Sequence, residues 1–596
     1  MSSVPERSDI DEAYKWDLES MFVGDDAWED AYEDVQERLD ELQAFEGQVT
    51  EDAETLLDVL ELREELMREV SNVAAYARMR SDEDTTNQEY QALSARAQSL
   101  ASQASSAASF IEPELQQVDR DTLQGFVDSE PALEPYGHYF DDVLRMKPHT
   151  RSPEIEELLA ELSEVTGAAG DVYSMLSNAD MEFPAVDDTE GEPQRITQSN
   201  FTSLLKNRDR EFRQRVYEAY FEEWGEFRNT VSTAYKNSVK ANSKLATARN
   251  YDTAREASLD GANIPVEVYD NLLESVRDNL DVLHRHADLK RERLGVDELQ
   301  MWDLYAPLTD SDSPDIEYEQ AKEWVIEAVA PLGEDYQQRL ADGLDSRWVD
   351  VYENEGKRSG AYSSGTYDSQ PYILMNYQDD VTSMYTLAHE LGHSLHTQLS
   401  SEEQPYVYSS YEIFTAEVAS TVNEALLTEY LLDTVEDETL RRHILDEYLE
   451  RFRSTLFRQT MFADFEHQAH ELSEAGGALT ADTLDELYGD LKREYYANAT
   501  VDEHITREWM RIPHFYYGFY VYQYATGISA ANALVEGILD EGEPAAERYL
   551  DFLKKGSREY PLELLDGAGV DMASPDPVES AIAAYDEYVG EFEDLS

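Results

Sequence analysis

The chain has 596 residues, 128 of them acidic and 47 basic, which gives a formal net charge of -81 and a pI near 4.2. Its length exceeds what one hydrophobic core serves, so two lobes are expected, and 41% hydrophobic with 11% aromatic residues excludes a disordered chain. With no basic patch, nucleic acid and anionic membranes are excluded as partners, and without cysteine any metal must be held by His and carboxylates.

Met1 to Met21 is polar and acidic, and no segment approaches about 18 uninterrupted apolar residues, so a soluble cytoplasmic protein is expected. From Asp25 to about Glu130 the apolar positions Leu56, Val59, Leu60, Leu66, Val70 and Val73 keep helical spacing. Another helix is predicted over Ser152 to Ala168, with Pro153 in its first turn. The Pro, Gly and acid run between Phe183 and Thr197 breaks periodicity, and a second helical stretch begins at Ser199-Asn200. Residues 1–190 are therefore expected to form an N-terminal helical lobe and 191–596 a catalytic region.

Turn-rich segments follow at Thr309 to Pro314 and at Asp350 to Asp368, the latter containing Gly356, Gly360 and Gly365. It leads into a predicted strand, Pro371 to Tyr377, that offers either an edge to an extended peptide or an ordinary core strand. Helical patterns run from Val381 almost to the end. The class expected is mainly α, two helical lobes with a small β-sheet beside the helix described next.

Met384 to His396 has no proline and reads as a helix carrying His389-Glu390-Leu391-Gly392-His393. The two His are one turn apart on one face and can share a zinc ion, while Glu390 beside them can take a proton from the attacking water. With 12 His in the chain, roughly 0.03 such motifs would arise by accident, so the pattern carries weight. The near-match at His470 lacks a second His and reads as surface helix. His396 lies seven residues from His389, about 10.5 Å along the axis, too far for a shared ion, and is assigned to the surroundings of the site or to structure. A third ligand must come from elsewhere. Tyr411 to Glu424 offers Glu417, Ser420, Thr421 and Glu424 on one stripe against Phe414, Val418, Val422 and Ala425 on another; its small flanking residues favour Glu417 as ligand and Glu424 as a hydrogen-bond acceptor for a ligating His.

HELGHSLH at 389–396, YEIFTAEVASTVNEALLTEYLL at 411–432 and RIPHFYYGFYVYQYATG at 511–527 resemble oligoendopeptidase F, of the thimet oligopeptidase family of zinc metallopeptidases. The likeness reaches from Tyr14-Lys15-Trp16-Asp17-Leu18 through Gly356 to Tyr362 to the Tyr-rich C-terminal segment. It implies two helical lobes enclosing a deep channel, one Zn2+ per chain held by His389, His393 and Glu417, and hydrolysis of internal bonds in short peptides. It also implies that His514 with Tyr520 or Tyr524 stabilises the tetrahedral intermediate, and that the loop at Gly360 touches substrate. Tyr517, Tyr520 and Tyr524 share a face if their segment is helical. A zinc carboxypeptidase and a non-catalytic peptide-binding protein are the alternatives, and the oligomeric state is left open. The 35 Arg against 12 Lys, with acids spread throughout, resemble a cytosolic protein of an extreme halophile. Acidic runs such as Glu29-Asp30 and Asp586-Glu587 then read as solvated faces, their repulsion screened at molar salt, where the Debye length is about 3 Å.

Overall fold

A computed structural model describes residues 4–309 and 311–595, and it is 70% helical with few small sheets. Asp310, within the turn-rich 309–314 segment, lies outside the described residues. Two compact units are present. One gathers the chain up to Pro148, Pro314–Asp433 and Leu534–Gly569; the other gathers His149–Ser313, Thr434–Ala533 and the chain from Val570. The division expected at residue 190 coincides with neither unit's boundary. Periodicity marks where the chain turns but not which distant segment returns to pack against it.

In the first unit the helices Asp25–Gln43, Ala53–Glu83 and Gln88–Ala108 pack together. Asp52 and Asn87 start the second and third by accepting hydrogen bonds from first-turn N–H groups, Thr55 at 2.9 Å for Asp52 and Glu89 at 2.9 Å for Asn87. Leu56, Val59, Leu60, Leu66, Val70 and Val73 are all buried, around Trp16, Trp28 and Tyr76. Tyr372 and Leu374 belong to the same core.

Those two residues come from a three-stranded sheet in which Tyr372–Leu374 is central, parallel to Val349–Asp350 and antiparallel to Tyr362–Ser364. The predicted strand is thus shorter than residues 371–377, and its edge is not available to a peptide. A run of consecutive apolar residues is what a strand covered on both sides requires. The outer positions fall to Val349–Asp350 and Tyr362–Ser364, and the glycine loop leads into the latter. Gly356 and Gly360 have φ of 82° and 88°, and the loop is tied down: Thr85 N–H donates to Gly356 O at 2.7 Å and Asn376 Nδ2 to Gly360 O at 2.8 Å.

In the second unit the expected helix at 152–168 is two, Pro153–Glu161 and Ser163–Met175, and the 183–197 break holds a hairpin pairing Ala185–Asp187 with Pro193–Arg195. Helices Arg210–Glu226, Arg228–Ala248 and Gln459–Glu474 build its core. A fully buried carboxylate, Glu508, is neutralised there by Arg458 and Lys492, each at 2.7 Å, and accepts from Tyr488 Oη at 2.6 Å. Unpaired, such a charge would cost several kcal/mol. His470 lies buried in this unit rather than on a surface helix, its Nδ1 2.9 Å from Glu466 O. Glu29 and Asp586 are paired with Arg96 and Arg285, both at 2.5 Å, on half-exposed surfaces. Among the described residues no helix is long and apolar enough to cross a membrane.

Candidate metal centre

His389, Glu390 and His393 sit in the helix Val381–Glu403, whose start is fixed by Asp380 accepting from Ser383 N–H at 2.7 Å. Glu417 and Glu424 sit in the helix Ile413–Thr434. Both expected stripes of that helix are engaged. Phe414, Val418, Val422 and Ala425 are buried, and so are Ser420, Thr421 and Glu424, because the helix lies against its neighbours rather than in solvent.

Glycine sets how closely the two helices approach. A Cβ at Gly392 would stand 2.5 Å from Ala419 O and 2.6 Å from Ser420 Cα. The absence of a side chain lets the backbone that carries Glu417 lie against the backbone between the two His. Asn423 Nδ2 donates across the same contact to Ala388 O at 3.3 Å, and Tyr336 Oη donates to Asn423 Oδ1 at 3.1 Å.

Three donor atoms converge as a result. His389 Nε2 lies 3.2 Å from His393 Nε2 and 3.5 Å from Glu417 Oε2, and His393 Nε2 lies 3.8 Å from Glu417 Oε2. Among the described residues this is the group of His, Asp and Glu whose atoms meet closely enough for a metal ion. Ligands at about 2.1 Å in a tetrahedron stand about 3.4 Å from one another, so the three separations fit a zinc-sized ion. The other nitrogen of His389, Nδ1, is 2.7 Å from Glu424 Oε1, which turns Nε2 toward the group. Ser420 Oγ donates to Glu417 Oε2 at 3.2 Å.

The electrostatics differ from residue to residue. Burial alone would lower the His389 imidazole, but the hydrogen bond and charge of Glu424, with Glu417 and Glu390 nearby, push it up to about 9. Burial drives His393 down to about 3, and the neighbouring His389 adds to the drop. Glu390 is buried, which pushes its carboxyl up to about 7; His389 opposes the rise and Glu417 adds to it. The triad itself is half-buried, with His389, His393 and Glu417 side chains 26%, 18% and 28% exposed.

His396 stands apart from this group. Its ring stacks on Tyr411 at 3.6 Å and 4° and packs near Phe552, and burial drives it down to about 3. Tyr411 in turn shares a hydrogen bond of 2.9 Å with Thr397.

The second cluster of expected residues lies in the other unit. His514 is in a short 3-10 turn, Pro513–Tyr516, and the helix that follows begins only at Tyr522. Between them Gly518 and Phe519 have φ of 60° and 53°. The common helical face expected for Tyr517, Tyr520 and Tyr524 is therefore absent. Tyr517 is 65% exposed, yet all three rings gather around His514, with centres 5.9 Å from it for Tyr517 and 6.0 Å for Tyr520 and Tyr524, and Tyr524 Oη lies 3.5 Å from His514 Nε2. Burial and the charge of Arg458 lower His514. Phe519, held in a conformation uncommon for a bulky residue, is fixed from below: its N–H donates to the buried Glu466 at 2.7 Å and its ring packs on His470 at 4.6 Å. Burial pushes the Glu466 carboxyl up to about 8. Gly392 and Glu466 carry no local sequence signal, since the groups they meet, Ala419 with Ser420 and Phe519, lie on other segments.

Comparison with known proteins adds a lineage. Residues 203–584 match Peptidase family M3 and residues 114–183 match Oligopeptidase F. The chain is 44% identical to Oligopeptidase PepF of Bacillus subtilis over 595 residues, covering 100% of this chain and 89% of that protein. It is 42% identical to Group B oligopeptidase PepB of Streptococcus agalactiae, covering 99% of this chain and 98% of that one. The crystal structure of oligoendopeptidase-F from Enterococcus faecium superposes with a TM-score of 0.75 at 36% identity, over 95% of this chain and 98% of the other.

Proposed function

The chain belongs to peptidase family M3, and from that premise we propose that it is a zinc-dependent oligoendopeptidase, cutting internal bonds of short peptides. The observation that carries the reading is the set of three donor separations, 3.2, 3.5 and 3.8 Å, with a buried carboxylate on the residue next to the first ligand. His389, His393 and Glu417 would hold the ion, and Zn2+ bound there would supply a Lewis acid and lower the pKa of water toward neutrality.

The chain's own groups supply the rest of the chemistry. Glu390, its carboxyl raised to about 7 by burial, accepts the proton of the attacking water and passes it to the departing amine. Glu424 holds His389 in the tautomer that leaves Nε2 free to ligate. His514 with Tyr520 or Tyr524 donates hydrogen bonds to the carbonyl oxygen as negative charge develops on it, a contribution typically about 10²- to 10³-fold. The Tyr362–Ser364 strand, one of the two outer strands of its sheet, can pair with an extended substrate backbone.

The test is mass spectrometry of the products of a peptide blocked at both ends, incubated in molar salt with and without a chelator. Internal cuts that stop on chelation are expected. Stepwise release of single residues from an unblocked C-terminus, with the blocked peptide left intact, would replace this reading with a carboxypeptidase. Binding without hydrolysis would leave a peptide carrier.

A further inference from the structure

The lysines of this chain are few, and their partners are revealing. Of 12 lysines in the sequence, eight lie within 4.0 Å of a carboxylate. Lys147 donates to the carbonyl of Val118. The other three, Lys236, Lys240 and Lys244, are spaced four apart on the helix Arg228–Ala248, and among the described residues none has a carboxylate within that distance. That 21-residue helix contains no acid, in a protein where 128 of 596 residues are acidic. A chain with so much negative charge at hand leaves one row of cations unneutralised.

Lys240 and Lys244 of this row border a groove of about 820 Å³ between this helix and Ser163–Met175. Val165, Ala168 and Val172 line one wall, and Lys240, Ala241 and Lys244 line the other. Val165 and Val172 are 70% and 51% exposed, an apolar strip on a surface otherwise dominated by carboxylates. No acid lines the groove. Its ligand must therefore offer apolar side chains toward the valines and negative charge toward the lysines.

The lysine spacing restricts the shape of that ligand. Four residues of helix rise about 6 Å, while side chains on the same face of an extended peptide recur every ~6.6–6.8 Å. Carboxylates at alternate positions of an extended chain thus meet successive lysines, and the intervening side chains turn away from them. The far face of Ser163–Met175 places Gly170, Asp171 and Ser174 on a second hollow that also takes in Pro513, Tyr516 and Tyr517, the segment of His514. The groove is one helix removed from that segment.

We infer that this groove binds an extended peptide, acidic at alternate positions and apolar between them, and that such peptides are preferred despite the protein's own net charge. That such a peptide is also cleaved rests on the peptidase reading; its binding rests on Lys240, Lys244 and the valine wall.

Two measurements separate these. Steady-state kinetics would use internally quenched peptides with one cleavable core, extended at either end by alternating Leu-Glu, Leu-Gln or Leu-Lys. At the lowest salt that keeps the protein folded, the Leu-Glu extension at one end should lower KM about 10-fold relative to Leu-Gln. The double variant Lys240→Glu/Lys244→Glu should abolish that advantage with kcat unchanged, whereas Lys206→Glu, the same kind of charge change at an exposed lysine outside the groove, should not. Near 1 M salt, where the Debye length is about 3 Å, the advantage should shrink. A KM that is indifferent to the extension, or that rises alike for all three peptides in the double variant, overturns the inference. Anisotropy of a fluorescent Leu-Glu peptide on the metal-loaded protein gives the second readout. If no peptide is hydrolysed yet this peptide binds through Lys240 and Lys244, the peptidase reading fails and the groove's ligand stands; binding that the double variant leaves intact overturns the groove.

Discussion

Gly392→Ala adds one methyl group at the contact between the two helices that carry the donor atoms. The new Cβ would lie 2.5 Å from Ala419 O and 2.6 Å from Ser420 Cα, against the 3.4 Å at which ordinary contact begins. The deficit is about 0.9 Å, and the obstruction is backbone on both sides, with no flexible side chain to move aside. The helices must separate by roughly that amount, carrying Glu417 away from His389 and His393. Metal sites tolerate errors of about 0.2 Å in a ligand distance, so a shift four times larger detaches the carboxylate or strains it. Overpacking of this kind costs about 1–3 kcal/mol, which a protein of this size survives folded. The expected outcome is a folded chain whose metal affinity is at least about 100-fold weaker, with activity recovered only at high added zinc. Competition with a chromophoric chelator gives the affinity, and circular dichroism and thermal melting establish the fold. A Gly392→Ala protein that binds zinc as tightly as the parent and turns over peptide normally would refute the argument that this contact sets the ligand geometry.

Further outcomes can be checked alongside it. Glu390→Gln should retain stoichiometric metal but lose about 10²- to 10⁴-fold in turnover, and near-normal kcat would remove Glu390 from the mechanism. Glu424→Ala should weaken metal binding by about 10- to 100-fold, measured by the same chelator competition, because His389 Nδ1 loses its 2.7 Å acceptor; unchanged affinity would count against that role. Glu466→Gln tests a different property. Its carboxyl is raised by burial to about 8 in the folded chain from an ordinary 4.5, so the unfolded state gives up its proton first and stability falls as pH rises between those values. The difference amounts to about 5 kcal/mol in order of magnitude. The glutamine variant should match the parent near pH 4.5 and be the more stable of the two above pH 8 in denaturant titrations, while a gap that does not change with pH would show that Glu466 is not held neutral.

How much of this was legible in the sequence depended on whether a residue's partner was local. The i, i+4 spacing of His389 and His393 defines a helix face by itself, and the same helix geometry excluded His396, which the structure stacks on Tyr411. Glu417 and Glu424 stood out because small residues surround them on a helix that otherwise had two occupied faces. Gly392 was unreadable, since nothing in its own helix requires a glycine there and the reason is the backbone of Ala419 and Ser420. The tyrosines misled for a related reason. Their i, i+3, i+7 spacing assumes continuous helix, and the left-handed turn at Gly518 and Phe519 is stabilised by Glu466, some fifty residues earlier. The strand at Tyr372 was visible as apolar, but its central place depends on partners at Val349 and Tyr362.

The order in which the chain builds its first unit has a consequence for synthesis on the ribosome. The helix bearing His389 and His393 rests on a segment translated about 150 residues later: Ser400 Oγ donates to Leu553 O at 3.1 Å, Gln404 Nε2 to Lys554 O at 2.7 Å, and Phe552 packs near His396. The second unit also closes late, on the segment from Val570. A nascent chain can thus expose all three donor residues while the floor beneath them is still missing. Competence to cut peptides is expected to arrive only after that later segment has been made, which would keep a half-made protease from acting on other emerging polypeptides.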